Sequence, residues 1–269
     1  MKLTLIITTY NWKEALDLML ESVARQTVLP DEVIIADDGS RPDTGELIAS
    51  WKKRLPVPLI HQWQEDIGFR VSRARNRAIA AASGDFIVIV DGDMVLNKHF
   101  MEDYRRAARP GFFFQGARLI TGPTTGARIL RERRLHIGFF APDIKRRRHT
   151  IRSRFLSWLV QQRTHRNQKA IRSCNQGYWK TDLLRVNGFD EAMTGWGRED
   201  NDLAERLYNV GVLRKNLKFS ALTIHLYHPS RQPVGENPND KYLRATIESK
   251  SQRCRLGIDQ HLPELAKSS

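Results

Sequence analysis

Residues 87–94, IVIVDGDM, end a β-branched apolar run on two carboxylates, Asp91 and Asp93, separated by one glycine. A run that is apolar on both faces reads as a parallel strand covered on both sides. Ligands of open α/β sheets collect at the carboxyl ends of such strands. Asp-Gly-Asp at that place suits a divalent cation and a pyrophosphate, because carboxylates are hard oxygen ligands and glycine admits a close backbone approach. A solvated turn accounts for the same three residues.

Two further strand ends carry polar clusters, Thr8-Thr9-Tyr10-Asn11 and Asp37-Asp38-Gly39-Ser40. Three such ends facing one crevice suit a nucleotide: a carboxylate can accept the imide N–H of uracil while threonine and backbone groups meet its carbonyls. Helix capping and turn formation explain each cluster taken singly. Residues 68–76 bring Arg70, Arg73 and Arg75 to a helix start beside the crevice. Guanidinium forks there match phosphates or ribose, and a solvated basic helix would look the same.

Residues 194–202, TGWGREDND, set a tryptophan between two glycines, with room for a planar ligand such as a sugar ring. Glu199, Asp200 and Asp202 then open a helix, where the macrodipole favours acids. That explains one or two acids but not the Gly-Trp-Gly ahead of them. His225-Leu226-Tyr227-His228 closes a last strand. A histidine joining two carboxylates would make a mixed O/N site that favours Mn²⁺ over Mg²⁺.

Strands at 2–8, 32–36, 57–61 and 87–91 alternate with helical spacing at 13–25, 44–55 and 72–82, which predicts a parallel, doubly wound α/β sheet. A helix at 98–109, a strand at 111–119, helices at 181–186 and 200–210, a strand at 221–226, a loop at 229–240 and a helix at 242–254 follow. Length and a hydrophobic content of 41% allow one large domain or two small ones. No apolar stretch reaches the roughly 20 residues of a membrane span, and no signal peptide is visible. Cys174 and Cys254 are the only cysteines, so a reducing, cytoplasmic setting is expected rather than a disulfide framework.

The net charge of +14 is concentrated. Residues 126–172 hold 14 Lys+Arg against two acids, whereas the other 222 residues hold 30 against 28. Within that segment, 155–160 (FLSWLV) is an apolar cluster flanked by arginines. Residues 145–172 therefore fit an anionic membrane surface, with a solvated acceptor loop as the alternative. Nucleic-acid binding would explain the patch but not DGD or GWGRED, so nucleic acid is not the expected partner. A sugar nucleotidyltransferase would share the sheet, but that class opens with a Gly-rich basic loop where this chain has TTYNW.

TTYNW, DDGS, ARN and DGD, in this order and spacing, resemble family 2 glycosyltransferases of the GT-A fold. NGFDEAMTGWGREDNDLAERL resembles a C-terminal region shared by β-1,4-galactosyltransferases, polypeptide GalNAc-transferases and bacterial chondroitin-type polymerases. The two blocks cover about 2–120 and 173–228; residues 121–172 lie outside both. The resemblance implies one GT-A domain over 1–228, made of a nucleotide-sugar-binding half (1–120), a basic insertion (121–172) and an acceptor/catalytic half (173–228), with a C-terminal loop and helix over 229–269. It implies inverting, metal-dependent transfer from a nucleotide-diphosphate sugar, with UDP preferred, to a glycan or lipid-linked acceptor in bacterial surface polysaccharide or lipopolysaccharide assembly.

Carried over by position, Thr8, Tyr10 and Asp38 would hold the base, with Asp37 the neighbouring candidate and Arg75 in the same nucleotide site. Asp91 and Asp93 would border ribose and metal, Asp93 being the principal ligand of Mn²⁺ or Mg²⁺. His225 would be the third ligand and His228 its alternative. Trp196 and Asn175 would line a sugar. Asp200 would be the catalytic base with Glu199 beside it. Asn201 stands where many relatives have an acid, which leaves Glu199, Asp200 and Asp202 to be told apart.

Overall fold

A computed structural model describes residues 1–169, 171–229 and 235–262. Its first half is β1 (Leu3–Thr9), α1 (Lys13–Ala24), β2 (Glu32–Asp37), α2 (Pro42–Lys52), β3 (Leu59–Trp63), α3 (Val71–Ala81) and β4 (Phe86–Asp91). These four strands are parallel and lie in the order β3-β2-β1-β4. The lack of polar alternation has a direct cause. Leu3, Leu5 and Ile7 of β1 pack with Leu16 and Met19 of α1 and Ile48 and Trp51 of α2. Ile6 points to the opposite face and packs with Ala74, Ala78 and Ile79 of α3. Both faces are dry, so both parities are apolar.

The second half is β5 (Met94–Leu96), α4 (Phe100–Ala107), β6 (Phe112–Thr121), α5 (Pro123–Glu132), β7 (Ile144–Lys145), α6 (Arg154–Gln161), β8 (Asn175–Trp179), α7 (Lys180–Arg185), α8 (Glu199–Asn209), β9 (Leu213–His225) and α9 (Asp240–Ser249). The sheet continues β4-β8-β6-β9-β5, with β7 paired to β6. β8 runs antiparallel to both neighbours, and β9 runs parallel to β6. The expected α/β, Rossmann-like sheet flanked by helices is therefore present, with a mixed second half.

The last strand starts at Leu213, not at residue 221. Its polar opening, Arg214 and Lys215, conceals it in sequence. Both side chains are covered: the Lys215 ammonium lies 4.5 Å above the Phe112 ring, and Arg214 Nη1 donates to the Lys169 carbonyl at 2.9 Å. Between the pairs Gly116↔Leu217 and Ala117↔Leu222, residues 218–221 bulge out, with Phe219 and Ala221 at positive φ. The basic segment, featureless in sequence, contains α5, a 3-10 turn at Arg147–Thr150 and α6. The final helix is α9 and stops at Lys250, which turns left-handed (φ 52), well before Cys254. The loop expected at 229–240 and the end of the chain from 263 lie partly or wholly outside the described residues.

This topology positions the crevice. β1, β2 and β4 present their carboxyl ends along one edge. β5 then returns antiparallel to β9 with Met94 opposite His225. The Asp-Gly-Asp turn is thereby pressed against the end of β9, and Leu226 N–H donates to the Asp93 carbonyl at 3.0 Å.

Candidate active site

At the ends of β1 and β2, the buried Asp38 carboxylate accepts from Gln64 Nε2 at 2.6 Å and from the Arg70 N–H at 2.9 Å. Burial raises its pKa, and these two donors oppose the rise. Exposed Tyr10 donates its hydroxyl to Asp66 Oδ2 at 2.8 Å, a partner that the sequence did not suggest. Gly39 makes the approach possible: it sits at φ +94, and a Cβ there would lie 2.6 Å from the Asp66 Cα. Thr8 donates to Asp91 Oδ1 at 2.8 Å, linking the ends of β1 and β4.

Arg75 ties the two halves of the chain together. Its Nη2 meets Asp91 Oδ1 at 3.2 Å and its Nη1 meets Glu199 Oε1 at 3.1 Å, with the guanidinium buried. Burial opposes its charge, and Asp91 and Glu199 hold its pKa above the ordinary range. Arg75 was expected on ribose or phosphate; it is instead committed to two carboxylates, one at the end of β4 and one at the start of α8.

Asp93, His225 and His228 form the one group among the described residues with metal-binding geometry, their ligand atoms all lying within 4.8 Å of one another. His225 Nε2 is 3.4 Å and His228 Nε2 is 3.2 Å from Asp93 Oδ2. Burial opposes the Asp93 charge, but His228, His225 and Arg118 keep the carboxyl below its usual range. Burial lowers the His225 pKa, favouring the neutral imidazole that a metal requires. Asp93 Oδ1 and His225 Nδ1 are buried without hydrogen-bond partners. An orphaned carboxylate oxygen and an orphaned imidazole nitrogen, with the second imidazole beside them, fit a divalent cation with mixed O/N preference. The alternatives His225 and His228 thus fall together, while Asp91 falls outside the group.

The three acids that open α8 separate cleanly. Asp202 pairs with the fully buried Arg206 at 2.7 Å and is structural. Glu199 is spent on Arg75, although its Oε2 is buried without a partner. Asp200 is half-buried and held by two backbone donors, Asn201 N–H at 2.8 Å and Ser173 N–H at 3.1 Å. Burial, then repulsion by Glu199, pushes its pKa up to about 7, with Arg75 and the two N–H groups pulling the other way. A carboxylate poised there can take a proton near neutral pH.

Gly195 and Gly197 at φ +79 and +94, with Arg198 also left-handed, throw Trp196 outwards as a tight loop. Asn237 and Asn239 strap the loop from the C-terminal side: Asn237 Nδ2 donates to the Trp196 carbonyl at 2.8 Å and Asn239 Nδ2 to the Gly197 carbonyl at 2.9 Å. The indole is exposed, as a sugar platform needs to be. Two expected contacts do not reach the crevice. Asn175 is wholly buried and saturated by Tyr104 Oη, the Ala117 carbonyl and the Ala221 carbonyl. Asp37 is also fully buried and closes its own turn by accepting from Ser40 N–H and meeting His61 Nε2, both at 2.8 Å.

A profile described as "Glycosyl transferase family 2" matches residues 4–172, and one described as "N-terminal domain of galactosyltransferase" matches 154–229. The first match runs through the basic segment, which had shown no resemblance of its own. Validoxylamine A glucosyltransferase of Streptomyces hygroscopicus subsp. limoneus is 29% identical over 282 residues, covering 98% of this chain. The chain spans 58% of that relative's length. S. aureus TarS 1-349 in complex with UDP superposes with a TM-score of 0.60 at 20% identity, covering 99% of this chain and 71% of that one. The mannosyltransferase PcManGT from Pyrobaculum calidifontis, in complex with GDP-Man and Mn²⁺, gives 0.55 at 16% identity, covering 98% and 73%. At these identities the two structures share the fold. The profile covers more than half of the chain, and together these findings make the protein a GT-A-fold transferase enzyme that belongs to glycosyl transferase family 2.

Proposed function

We propose that this glycosyltransferase inverts the anomeric centre, takes its sugar from a UDP donor with a divalent cation, Mn²⁺ before Mg²⁺, and serves the assembly of a bacterial surface glycan on a glycan or lipid-linked hydroxyl. The observation that carries the reading is Asp200, a carboxylate with raised pKa placed beside the nucleotide crevice and fixed by two backbone donors. Asp200 takes the proton of the acceptor hydroxyl as its oxygen attacks the anomeric carbon and the bond to the diphosphate breaks. Asp38 and Tyr10 hold the base, Asp91 faces the ribose with its second oxygen, and Trp196 covers a sugar ring. Asp93, His225 and His228 would hold the cation, which when bound neutralises charge on the departing diphosphate. UDP in the TarS structure and Mn²⁺ in the mannosyltransferase structure support the donor and metal assignments. The test is the anomeric configuration of the product, read by proton NMR from an α-linked UDP-sugar. A β-linked product is expected; an α-linked product would remove Asp200 from the role of base in a single displacement.

The basic segment we assign to an anionic lipid surface. α6 turns only Ser157 inward, onto Ser220, whereas Phe155 and Trp158 are 66% and 53% exposed and stack on each other. Leu156 and Leu159 share that outward face. Arg163 and Arg166 flank it and pair with no acid among the described residues. Each such arginine contributes about 1 kcal/mol near an anionic surface. No helix among the described residues is long and apolar enough to cross a membrane, so contact would be peripheral, on the cytoplasmic face. The double variant F155S/W158S should lose flotation with phosphatidylserine vesicles by about tenfold or more. Equal flotation of variant and wild type would refute lipid docking.

A further inference from the structure

Three arginines far apart in sequence converge between the metal-type group and Asp200, and none pairs with an acid among the described residues. Arg118 lies on β6, two residues before Ile120, which pairs with His225. Its Nη1 donates to Cys174 Sγ at 3.3 Å, and its Nε is buried with no partner. Arg146 immediately precedes the 3-10 turn whose His149 Nδ1 is bonded to the Arg118 carbonyl at 2.8 Å. It adopts a left-handed backbone (φ 62), a conformation that a residue with a Cβ rarely takes. Arg172 is strapped to β6 by a reciprocal pair with Gln115: its N–H donates to Oε1 at 3.0 Å, and its carbonyl accepts from Nε2 at 3.0 Å. The next residue, Ser173, is the one whose N–H holds Asp200.

The arrangement is unfavourable as it stands. Burial, then Arg172 and Arg118, depress the Arg146 pKa, so the guanidiniums feel each other's charge. Burial pushes the Cys174 thiol up to about 12, so it supplies no counter-charge. Asp93, whose charge Arg118 feels, is engaged by the two histidines, and Asp91 by Arg75. Like charges gathered in a partly buried place are stabilised by an anion, and forked guanidiniums suit oxyanions.

We propose that Arg118, Arg146 and Arg172 form an anion site for a phosphate, sulfate or carboxylate carried by the acceptor, positioned so that the acceptor's hydroxyl meets Asp200. This rests on the transferase reading above and narrows it to acidic acceptors. The same chemistry could instead serve the donor diphosphate, and the test separates the two. Sulfate is titrated into the protein saturated with UDP and Mn²⁺, at constant ionic strength held with chloride, and melting temperature is followed. The expected result is a saturable rise in wild type. R146A and R172A should each weaken it about tenfold or more, the loss of one charge-assisted hydrogen bond, with UDP affinity unchanged. R163A/R166A, whose arginines lie elsewhere in the basic segment, should respond like wild type. Three results would overturn the proposal: no saturable rise, a rise that R146A and R172A leave intact (an adventitious ion only), or a rise abolished by UDP with R146A weakening UDP. The last would assign the arginines to the donor. Failure of UDP itself to bind would count against the donor reading alone, since sulfate can then be titrated without nucleotide.

Discussion

Asp200→Asn should lower turnover by about 10²–10⁴-fold while leaving UDP affinity unchanged, because the lost group acts only as the acceptor proton departs. The pH profile gives a second signature. Asp200 works deprotonated, and its pKa stands at about 7. The wild-type rate should therefore fall about tenfold per unit as pH drops below that value and level off above it. The variant should lack this limb. Asp202→Asn, two residues on, provides the contrast. It strands the buried Arg206 guanidinium, so it should cost about 3–5 kcal/mol of stability in a denaturant melt. Its effect on turnover per folded molecule should be small. A variant D200N that retains wild-type turnover would remove this carboxylate from the chemistry.

The second large effect concerns the cation. Asp93→Ala removes the only carboxylate of the Asp93, His225 and His228 group. Stabilisation by UDP plus Mn²⁺ should then collapse to the level seen with EDTA. His225→Ala and His228→Ala should each weaken Mn²⁺ by at least the roughly 10–100-fold that follows loss of an outer-shell partner. Their equivalence is the informative part: both Nε2 atoms approach the same Asp93 oxygen. If His228→Ala left Mn²⁺ affinity untouched, the site would reduce to Asp93 and His225.

The parallel half of the fold was legible because its strands are apolar on both faces, and packing against α1, α2 and α3 is the reason for that pattern. The crevice residues were legible because strand ends and helix starts concentrate polar types at fixed offsets. Sequence could not tell ligands from their neighbours. Asp37 and Asp38 are adjacent and chemically identical, yet one closes a turn with Ser40 while the other is held by Gln64 and the Arg70 N–H. Asn175 sits in a motif block but is turned into the sheet, where Tyr104, Ala117 and Ala221 saturate it. Arg75 was visible as a basic residue at a helix start, but its partner Glu199 lies 124 positions away. Arg146 and Arg172 were visible only as members of the basic run, and Arg118, outside it, gave no signal. Only the return of β6, and the straps that Gln115 and His149 supply, bring them together.

The most direct measurement is a calorimetric titration of UDP into the protein, once with Mn²⁺ and once with EDTA, with GDP run in parallel. UDP should bind with a clear heat in Mn²⁺, about tenfold or more weaker in EDTA, and tighter than GDP, as expected if Asp93, His225 and His228 hold a cation that would offset the diphosphate charge. Equal affinity in EDTA, or absence of binding by either nucleotide, would contradict a metal-dependent nucleotide-sugar site.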